Sequence, residues 1–388
     1  MSRCALCDAA DLVVFMERQR VPVHQNIACA SAQAARAVPR GDLELACCRT
    51  CGFVTNLAFR PELLEYGEGY ENDQTNSAAF ETHMAALVED LVESGIRKKR
   101  VVEVGCGQGQ FLRRLCVAGE NDGIGFDPAY RGPASVDGGR VAFIRAFYGP
   151  GALTEAPDLV LCRHVIEHVP RPLELLENVR SALGVDRMTR LAFETPAVDW
   201  ILEGTVIQDF FYEHCSYFTE SSLRLAFERS GFTKFEASHV FGGQYLWATA
   251  AHGAVAAPPH AVPDARGTVN AVEGYRERMQ ARTSTLAQGL HRLAARGPVA
   301  VWGAGAKGVT FLNLLDADGS VIDVAIDINP KKQEKFIAGT GHAIVGPRAV
   351  MGRGIVSVIV MNPNYAGEIR QLLSGFGFAG QVHAEGDL

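Results

Sequence analysis

The chain has 388 residues, of which 47% are hydrophobic and 21% charged. This length accommodates two or three domains, and this composition excludes a mainly disordered protein. The formal net charge of −7 supplies no overall cationic field, so we expect neither nucleic acid nor a membrane as a partner. No run approaches the roughly 20 apolar residues that span a bilayer, and the first residues lack a signal-peptide pattern. We therefore expect a cytoplasmic protein.

Two C-x2-C pairs occur within the first 60 residues. Cys4 and Cys7 form the first pair, and Cys48 and Cys51 form the second. Four thiolates in this arrangement suit a tetrahedral Zn2+ ion. Cys47 stands next to Cys48, which leaves the identity of the third ligand open. The sequence predicts a zinc-binding module over residues 1–60, with a closed metal site that serves folding and not catalysis.

The rest of the chain predicts two further domains. Strand and helix patterns alternate over residues 61–250, which is typical of a parallel sheet with helices on both faces. An Ala- and Pro-rich stretch without sustained period predicts a linker at 251–268. A long amphipathic helix is expected over 270–296, and new strand and helix patterns then predict a smaller Rossmann-like domain over 269–388.

A hydrophobic strand at residues 101–104 ends in a glycine-rich turn that opens into a helix. The turn holds Gly105, Gly107 and Gly109, with Glu103 just before it, and Asp127 closes the next strand. Glycines let the backbone approach a ligand at a helix N-terminus, and an acidic residue after the second strand accepts hydrogen bonds from ribose hydroxyls. The G-x-G-x-G spacing differs from the G-x-G-x-x-G of dinucleotide sites and favours a smaller nucleoside over NAD.

This constellation resembles the class I S-adenosylmethionine-dependent methyltransferases. The resemblance spans about 150 residues, from the glycine turn through the segment around Glu167-His168-Val-Pro170. It implies that Glu103 and the three glycines hold S-adenosylmethionine and that Asp127 holds its ribose.

Motifs beyond this core resemble the three-domain, zinc-binding C-methyltransferases that act on nucleotide-linked deoxysugars. They are Phe193-Glu-Thr-Pro196, the run from Phe211 to Phe218, Gly242-Gly243, and the tail from VWGAGAKG to IDINPKK. The resemblance implies a small-molecule substrate, a keto-deoxysugar linked to a nucleotide. It also implies that His214 removes a proton next to the keto group, that the preceding Glu213 assists it, and that His168 is a further active-site histidine.

The chemistry explains these residue types. Methyl transfer to carbon needs a carbanion equivalent, so a C–H group beside a carbonyl must lose its proton, and histidine suits that step near neutral pH. We expect His168, with Tyr212 or Tyr70, to stabilise the enolate. His164 lies on an apolar strand, and we interpret it as structural.

Some positions depart from the family pattern, and alternatives stay open. Phe211-Tyr212 stands where the family has tyrosine and then histidine, and the family's glycine-glycine-serine-leucine-arginine is here Gly242-Gly-Gln-Tyr-Leu-Trp247. A histidine base would equally activate an oxygen or nitrogen nucleophile, so an O- or N-methyltransferase of a polar small molecule is the first alternative. A zinc-dependent interaction protein without catalysis is the second.

A literal G-x-G-x-x-G occurs in the C-terminal domain. It runs from Gly303 to Gly308, and Asp327 closes the next strand. Three uses stay open for this turn: a dinucleotide site, contact between Lys307 and a diphosphate on the substrate, and a purely structural role.

Overall fold

The computed structural model of the chain describes residues 2–64, 69–71, 75–153, 155–183, 188–253 and 263–388. These residues form three sheets. Within the described ranges, no helix is long and apolar enough to cross a membrane. The predicted linker lies partly outside the described residues, and the predicted domain bounds stay predictions.

The first sheet is antiparallel and lies mostly in the N-terminal part. Its elements in this part are β1 (Leu12–Pro22), α1 (Ala32–Arg36), β2 (Arg40–Cys48) and β3 (Val54–Asn56). A fourth strand, which comes from much later in the chain at residues 216–217, pairs with β3. The N-terminal module therefore shares its sheet with the segment that carries His214.

The central sheet has eight strands and forms the largest part of the fold. Its region contains α2 (Ala78–Glu93), β4 (Arg100–Val104), α3 (Gln110–Gly119), β5 (Asp122–Phe126), β6 (Ser135–Val136), β7 (Val141–Ile144), β8 (Leu159–Arg163), α4 (Pro172–Ser181), β9 (Thr189–Pro196), α5 (Val198–Gly204), β10 (Ser216–Tyr217), α6 (Glu220–Arg229), β11 (Thr233–Val240) and β12 (Tyr245–His252). The strand order is β11-β12-β9-β8-β4-β5-β7-β6. The five inner strands from β9 to β7 are parallel, and β12 and β6 join antiparallel.

Helices cover both faces of this sheet, because its inner strands are apolar on both sides. Leu91 of α2 and Leu112 of α3 are fully buried on one face. Leu176 of α4 and Phe227 of α6 are fully buried on the other. The carboxyl ends of β4, β5 and β8 meet at one edge, where the predicted site residues follow the strands.

The C-terminal sheet has five parallel strands in the order β15-β14-β13-β16-β17. Its region contains α7 (Arg266–Val272), α8 (Tyr275–Ala294), β13 (Val299–Trp302), α9 (Ala306–Leu315), β14 (Ile322–Ile326), β15 (Ile344–Val345), β16 (Ser357–Val360), α10 (Ala366–Gly375) and β17 (Gln381–Ala384). The long helix expected over 270–296 is present over Tyr275–Ala294, but it begins later than predicted. Gly274 has a φ of +66° and ends the first helix at a left-handed turn, so two helices form there.

Candidate active site

The glycine turn after β4 has three glycines with positive φ, at +68° for Gly105, +54° for Gly107 and +78° for Gly109. A Cβ atom on Gly105 would lie 2.3 Å from Val165 Cγ2, and one on Gly109 would lie 2.2 Å from Phe143 Cε1. A Cβ atom on Gly107 would meet nothing within 4 Å. Gly107 therefore faces open space at the start of α3, where a bound ligand has room.

The two acidic residues beside this turn have different surroundings. Asp127 follows β5, and its carboxylate accepts hydrogen bonds from the backbone N–H of Gly107 at 2.9 Å and of Ala129 at 2.7 Å. Burial raises the pKa of Asp127. Burial also raises the pKa of Glu103 to about 7, and its Oε2 has no hydrogen-bond partner among the described residues. A ligand with donors at this edge would satisfy that orphaned oxygen.

A cavity of about 240 Å3 lies between the carboxyl edge of the central sheet and the C-terminal glycine turn. Its wall includes His164, Glu167 and His168 from the turn after β8, together with His214 and Lys307. The turn after β8 also packs on the first glycine turn, because Val165 fills the space beside Gly105. The cavity and the candidate cofactor turn are therefore neighbours.

His168 and His214 contact each other in this wall. Their rings are perpendicular with centroids 4.7 Å apart, and Phe211 packs on His214 at 4.1 Å. The Nδ1 atom of His168 donates to the backbone carbonyl of Glu213 at 2.9 Å. Burial lowers the pKa of His214 well below its usual value, and the charges of His168, His164 and Lys307 lower it further. His214 is thus a neutral imidazole at neutral pH.

Glu213 does not contact His214. Its buried carboxylate lies 3.4 Å from His24 Nδ1, and its second oxygen has no hydrogen-bond partner among the described residues. The side chain points toward the N-terminal module, whereas the next residue, His214, points into the cavity. The sequence-based expectation that this carboxylate assists His214 therefore finds no contact in the structure.

The two candidate tyrosines lie in different places. Tyr70 lines the cavity, where its hydroxyl accepts a hydrogen bond from Asn26 Nδ2 at 3.5 Å. Tyr212 is fully buried in the core of the N-terminal module, where its hydroxyl accepts from the Arg60 N–H at 2.9 Å and its ring packs on Phe59. Tyr212 does not line the cavity, because its side chain fills a space beside Gly41, where a Cβ atom would lie 2.2 Å from the Tyr212 ring.

The C-terminal glycine turn forms the opposite wall. Asp327 accepts hydrogen bonds from the backbone N–H of Ala304 and of Asn329, both at 2.8 Å, and so holds its own loop. Lys307 Nζ bonds to Asp209 and lies 4.9 Å from the centre of the Trp200 ring. Both partners of Lys307 belong to the central region, so this lysine links the two sheets across the cavity.

Several cavity residues were not found from the sequence. Asn26 reaches the cavity from the N-terminal module, and Gln244 from the start of the last central strand. Lys332 follows β14, and it is only 6% exposed although it is charged. Its Nζ donates to the carbonyl of Ala304 at 3.3 Å, and no carboxylate of the described residues pairs with it. A paired lysine motif after a strand was the only signal for Lys332.

Four cysteines of the N-terminal module form a cluster. The Sγ atoms of Cys4 and Cys51 are 3.5 Å apart, as are those of Cys7 and Cys48, and all four lie within 4.8 Å of one another. Thiolates at about 2.3 Å from a tetrahedral ion are about 3.8 Å apart, so the cluster has room for one. Cys47 lies outside it in a separate apolar core.

Two family models match the chain in succession. A methyltransferase domain matches residues 77–237, and a C-methyltransferase C-terminal domain matches residues 265–381. The chain is also 28% identical over 357 residues to C-methyltransferase NovU of Streptomyces niveus, which covers 84% of this chain and 81% of the relative.

Solved methyltransferase structures also match part of the chain. A Burkholderia thailandensis 1,6-didemethyltoxoflavin-N1-methyltransferase with bound S-adenosylhomocysteine is 19% identical. The match covers 46% of this chain and 80% of the Burkholderia chain, with a TM-score of 0.34. Human N-acetylserotonin methyltransferase in complex with SAM is 16% identical. The match covers 44% of this chain and 55% of the human chain, with a TM-score of 0.35.

The fold, the glycine turn and the domain matches define an S-adenosylmethionine-dependent methyltransferase with a class I core. Within that class, the chain is similar to the C-methyltransferases, because residues 265–381 match a C-methyltransferase C-terminal domain and the relative matches most of the chain. The predicted fold class and the predicted resemblance to C-methyltransferases are thereby confirmed.

Proposed function

We propose that the protein methylates a carbon atom next to the ketone of a keto-deoxysugar, with the sugar linked to a nucleotide. The observation that carries this proposal is the pair of contacting histidines, His168 and His214, in the cavity beside the cofactor turn. A buried neutral imidazole is the form of histidine that accepts a proton.

The cofactor residues of the chain fit S-adenosylmethionine. Gly107 leaves room at the helix N-terminus, Asp127 offers a carboxylate to ribose hydroxyls, and Glu103 has an unpartnered oxygen at the same edge. S-adenosylmethionine, when bound, supplies a methyl group on sulfur that a carbanion attacks in line.

In the proposed reaction, His214 takes the proton from the carbon beside the ketone, and the electron pair of that C–H bond forms the enolate. His168 and the hydroxyl of Tyr70 line the same cavity and would stabilise the enolate oxygen. Tyr212 and Glu213 have no part in this proposal, because their side chains are engaged outside the cavity.

The opposite wall supports a nucleotide-linked substrate. Lys332 is a buried ammonium group whose partner in the described residues is a carbonyl, so an anion beside it would be strongly stabilised. The N-terminus of α9 and Lys307 lie in the same wall. We propose that the diphosphate of the substrate binds there, which replaces the arginine that the chain lacks after Gly242-Gly243.

We also propose that the four-cysteine cluster binds one structural Zn2+ ion. The chemistry of four thiolates and their mutual distances support this ion. A site of this kind holds no open position for a substrate, and its contribution is to the folding of the module.

A transfer assay tests the proposed activity. The full chain would be incubated with methyl-labelled S-adenosylmethionine and a panel of nucleotide-linked keto-deoxysugars in heavy water. With the unaltered chain, we expect label in the sugar and loss of a proton from the methylated carbon. With His214→Asn, we expect neither. A labelled product that keeps its proton on the carbon beside the ketone would favour O- or N-methylation.

A further inference from the structure

His164 has an unusual backbone conformation at the edge of the cavity. Its φ is +54°, in the left-handed region that residues with side chains rarely adopt. Such strain persists only where surrounding contacts fix the residue, and it is concentrated at functional sites. The side chain lines the cavity that also contains His214. The structure thus places this histidine, which the sequence analysis interpreted as structural, at the cavity.

The ring of His164 lies between two fully buried carboxylates. Its Nδ1 is 3.5 Å from Glu167 Oε1, and its Nε2 is 3.3 Å from Glu194 Oε2. Glu167 and Glu194 are 1% and 0% exposed. Two buried anions next to one imidazole favour its charged form, because an uncompensated buried carboxylate is costly.

We propose that His164 is a positioning residue, an imidazolium held between Glu167 and Glu194, whose charge compensates the Glu167 carboxylate and so keeps His214, which lies within 4.8 Å of that carboxylate, in its neutral, proton-accepting form. This inference rests on the proposed function of His214. It assigns to His164 no contact with the reacting atoms, since both of its ring nitrogens face carboxylates.

The pKa shifts agree with this geometry. Burial lowers the pKa of His164, but Glu194 and Glu167 outweigh burial and raise it to about 9. The pKa of His214 shifts in the opposite direction, and the charge of His164 contributes to that shift. Two titratable groups with pKa values pushed apart mark the charged and the proton-accepting member of a site.

Other charged groups face these two histidines from the surrounding elements. Around His164 they are Arg163, Glu167 and Glu194, together with the uncharged Tyr245, and His83 lies on the far side of Glu194. Around His214 they are Glu167 and His168, whose ligand atoms lie within 4.8 Å of it, together with Lys307, which pairs with Asp209, and the uncharged Tyr217. Arg163 and His164 together balance the two buried carboxylates. A cation in this place weakens His214 as a base, but the same field stabilises the enolate that forms.

The direct test is a titration of the histidine rings by NMR in the full-length protein labelled with 15N-histidine. We expect the His164 signal, assigned by its absence in His164→Asn, to titrate about two units above an ordinary histidine, and the His214 signal to titrate well below one. In His164→Asn, we expect the His214 midpoint to rise, because the Glu167 carboxylate beside it loses its compensating charge. Asparagine suits this variant because it tolerates the left-handed conformation and is neutral.

Kinetics give a second readout. In His164→Asn the acidic limb of kcat/KM should move to higher pH with the His214 midpoint, and kcat should fall about tenfold with little change in KM. His239→Asn is the matched control, because His239 is exposed and pairs with Asp199 at 2.9 Å outside the cavity. That control should leave both the titration and the pH profile unchanged.

A His164 signal that titrates near pH 6.5 would overturn the proposal, and so would a His214 midpoint that is identical in His164→Asn. If that variant does not fold, Glu167→Gln offers the same test, with a fall in the His164 midpoint expected and an unchanged midpoint contradicting the proposal. The titrations need no substrate. A protein with these midpoints but without methyl transfer would therefore refute the proposed function separately.

Discussion

Two histidines in one cavity wall have different electrostatic surroundings. His214 is buried beside His168, Lys307 and one carboxylate, that of Glu167, whereas His164 lies between two carboxylates. Sequence reasoning identified His214 because the motif around it resembles the family pattern. It gave His164 a structural role, because the carboxylate of Glu194 comes from a different strand and no local pattern predicts that contact.

Replacing His214 tests its role as the base. We expect His214→Asn to lower kcat by about 10²- to 10⁴-fold, because a positioned general base contributes that much, while the affinity for S-adenosylmethionine stays unchanged. Steady-state kinetics and calorimetric titration with the cofactor measure the two effects. Retained turnover in His214→Asn, with His239→Asn as the control, would remove His214 from the mechanism.

The charged state of His164 also links stability to pH. Its pKa in the folded chain, about 9, lies above the ordinary value of 6.5. Its stabilisation is therefore complete below pH 6.5 and is lost as the pH rises through 9, by on the order of 3 kcal/mol for a shift of this size. We expect the free energy of unfolding in urea to fall over this range in the unaltered chain, and this fall to be smaller in His164→Asn. An equal fall of the unfolding free energy with pH in the two proteins would contradict the charged state of His164.

The turn after β4 shows what a motif of glycines predicts and what it does not. Its spacing identified the cofactor loop, because positive φ angles at three positions need residues without a side chain. The neighbours of each glycine could not be predicted. Val165 and Phe143 come from other strands and close two of the three positions, and only Gly107 stays open.

Gly107 offers a test of the cofactor turn that separates binding from folding. We expect Gly107→Ala to cost about 1–2 kcal/mol of stability from its positive φ and to weaken S-adenosylmethionine binding by tenfold or more, because the added methyl group occupies the open space. Gly354→Ala is the matched control, with a φ of +63° and equally open surroundings in the C-terminal domain. Equal cofactor affinity in the two variants would place the cofactor elsewhere.

The spacing of the cysteines predicted this cluster, and the structure shows which four cysteines form it. The sequence left Cys47 open as a ligand, and the distances favour Cys48. We expect one zinc ion per chain by elemental analysis, and loss of the metal with a clear fall in Tm after chelation or in Cys48→Ala. Cys47→Ala should keep the metal. A chain that folds fully without metal would refute the structural zinc ion.

The cavity is assembled from all three parts of the chain. Asn26 comes from the N-terminal module, His214 from the central region and Lys332 from the C-terminal domain. Two hydrogen bonds join the C-terminal domain to the central region. Asn362 donates to the side chain of Gln244 at 3.1 Å, and Asn364 donates to the backbone carbonyl of Phe241 at 2.8 Å. Periodicity predicted the sheets separately, but it carries no information on how sheets from distant segments meet, so this composite cavity could not be predicted.

Lys332 tests whether the C-terminal wall binds the substrate. We expect Lys332→Met to raise KM for a nucleotide-linked substrate by about 10- to 100-fold with little change in kcat, since a charged hydrogen bond to phosphate contributes roughly 1.5–3 kcal/mol to binding. Lys335→Met, in the same segment but outside the cavity, is the control. An unchanged KM in Lys332→Met would exclude the proposed diphosphate position.

The position of the transferred methyl group tests the central claim most directly. The full chain would be incubated with S-adenosylmethionine that carries a 13C methyl group and with nucleotide-linked keto-deoxysugars, and the product would be examined by NMR. The account predicts a 13C signal coupled to a ring carbon next to the ketone. A 13C methyl group bonded to oxygen or nitrogen would contradict it.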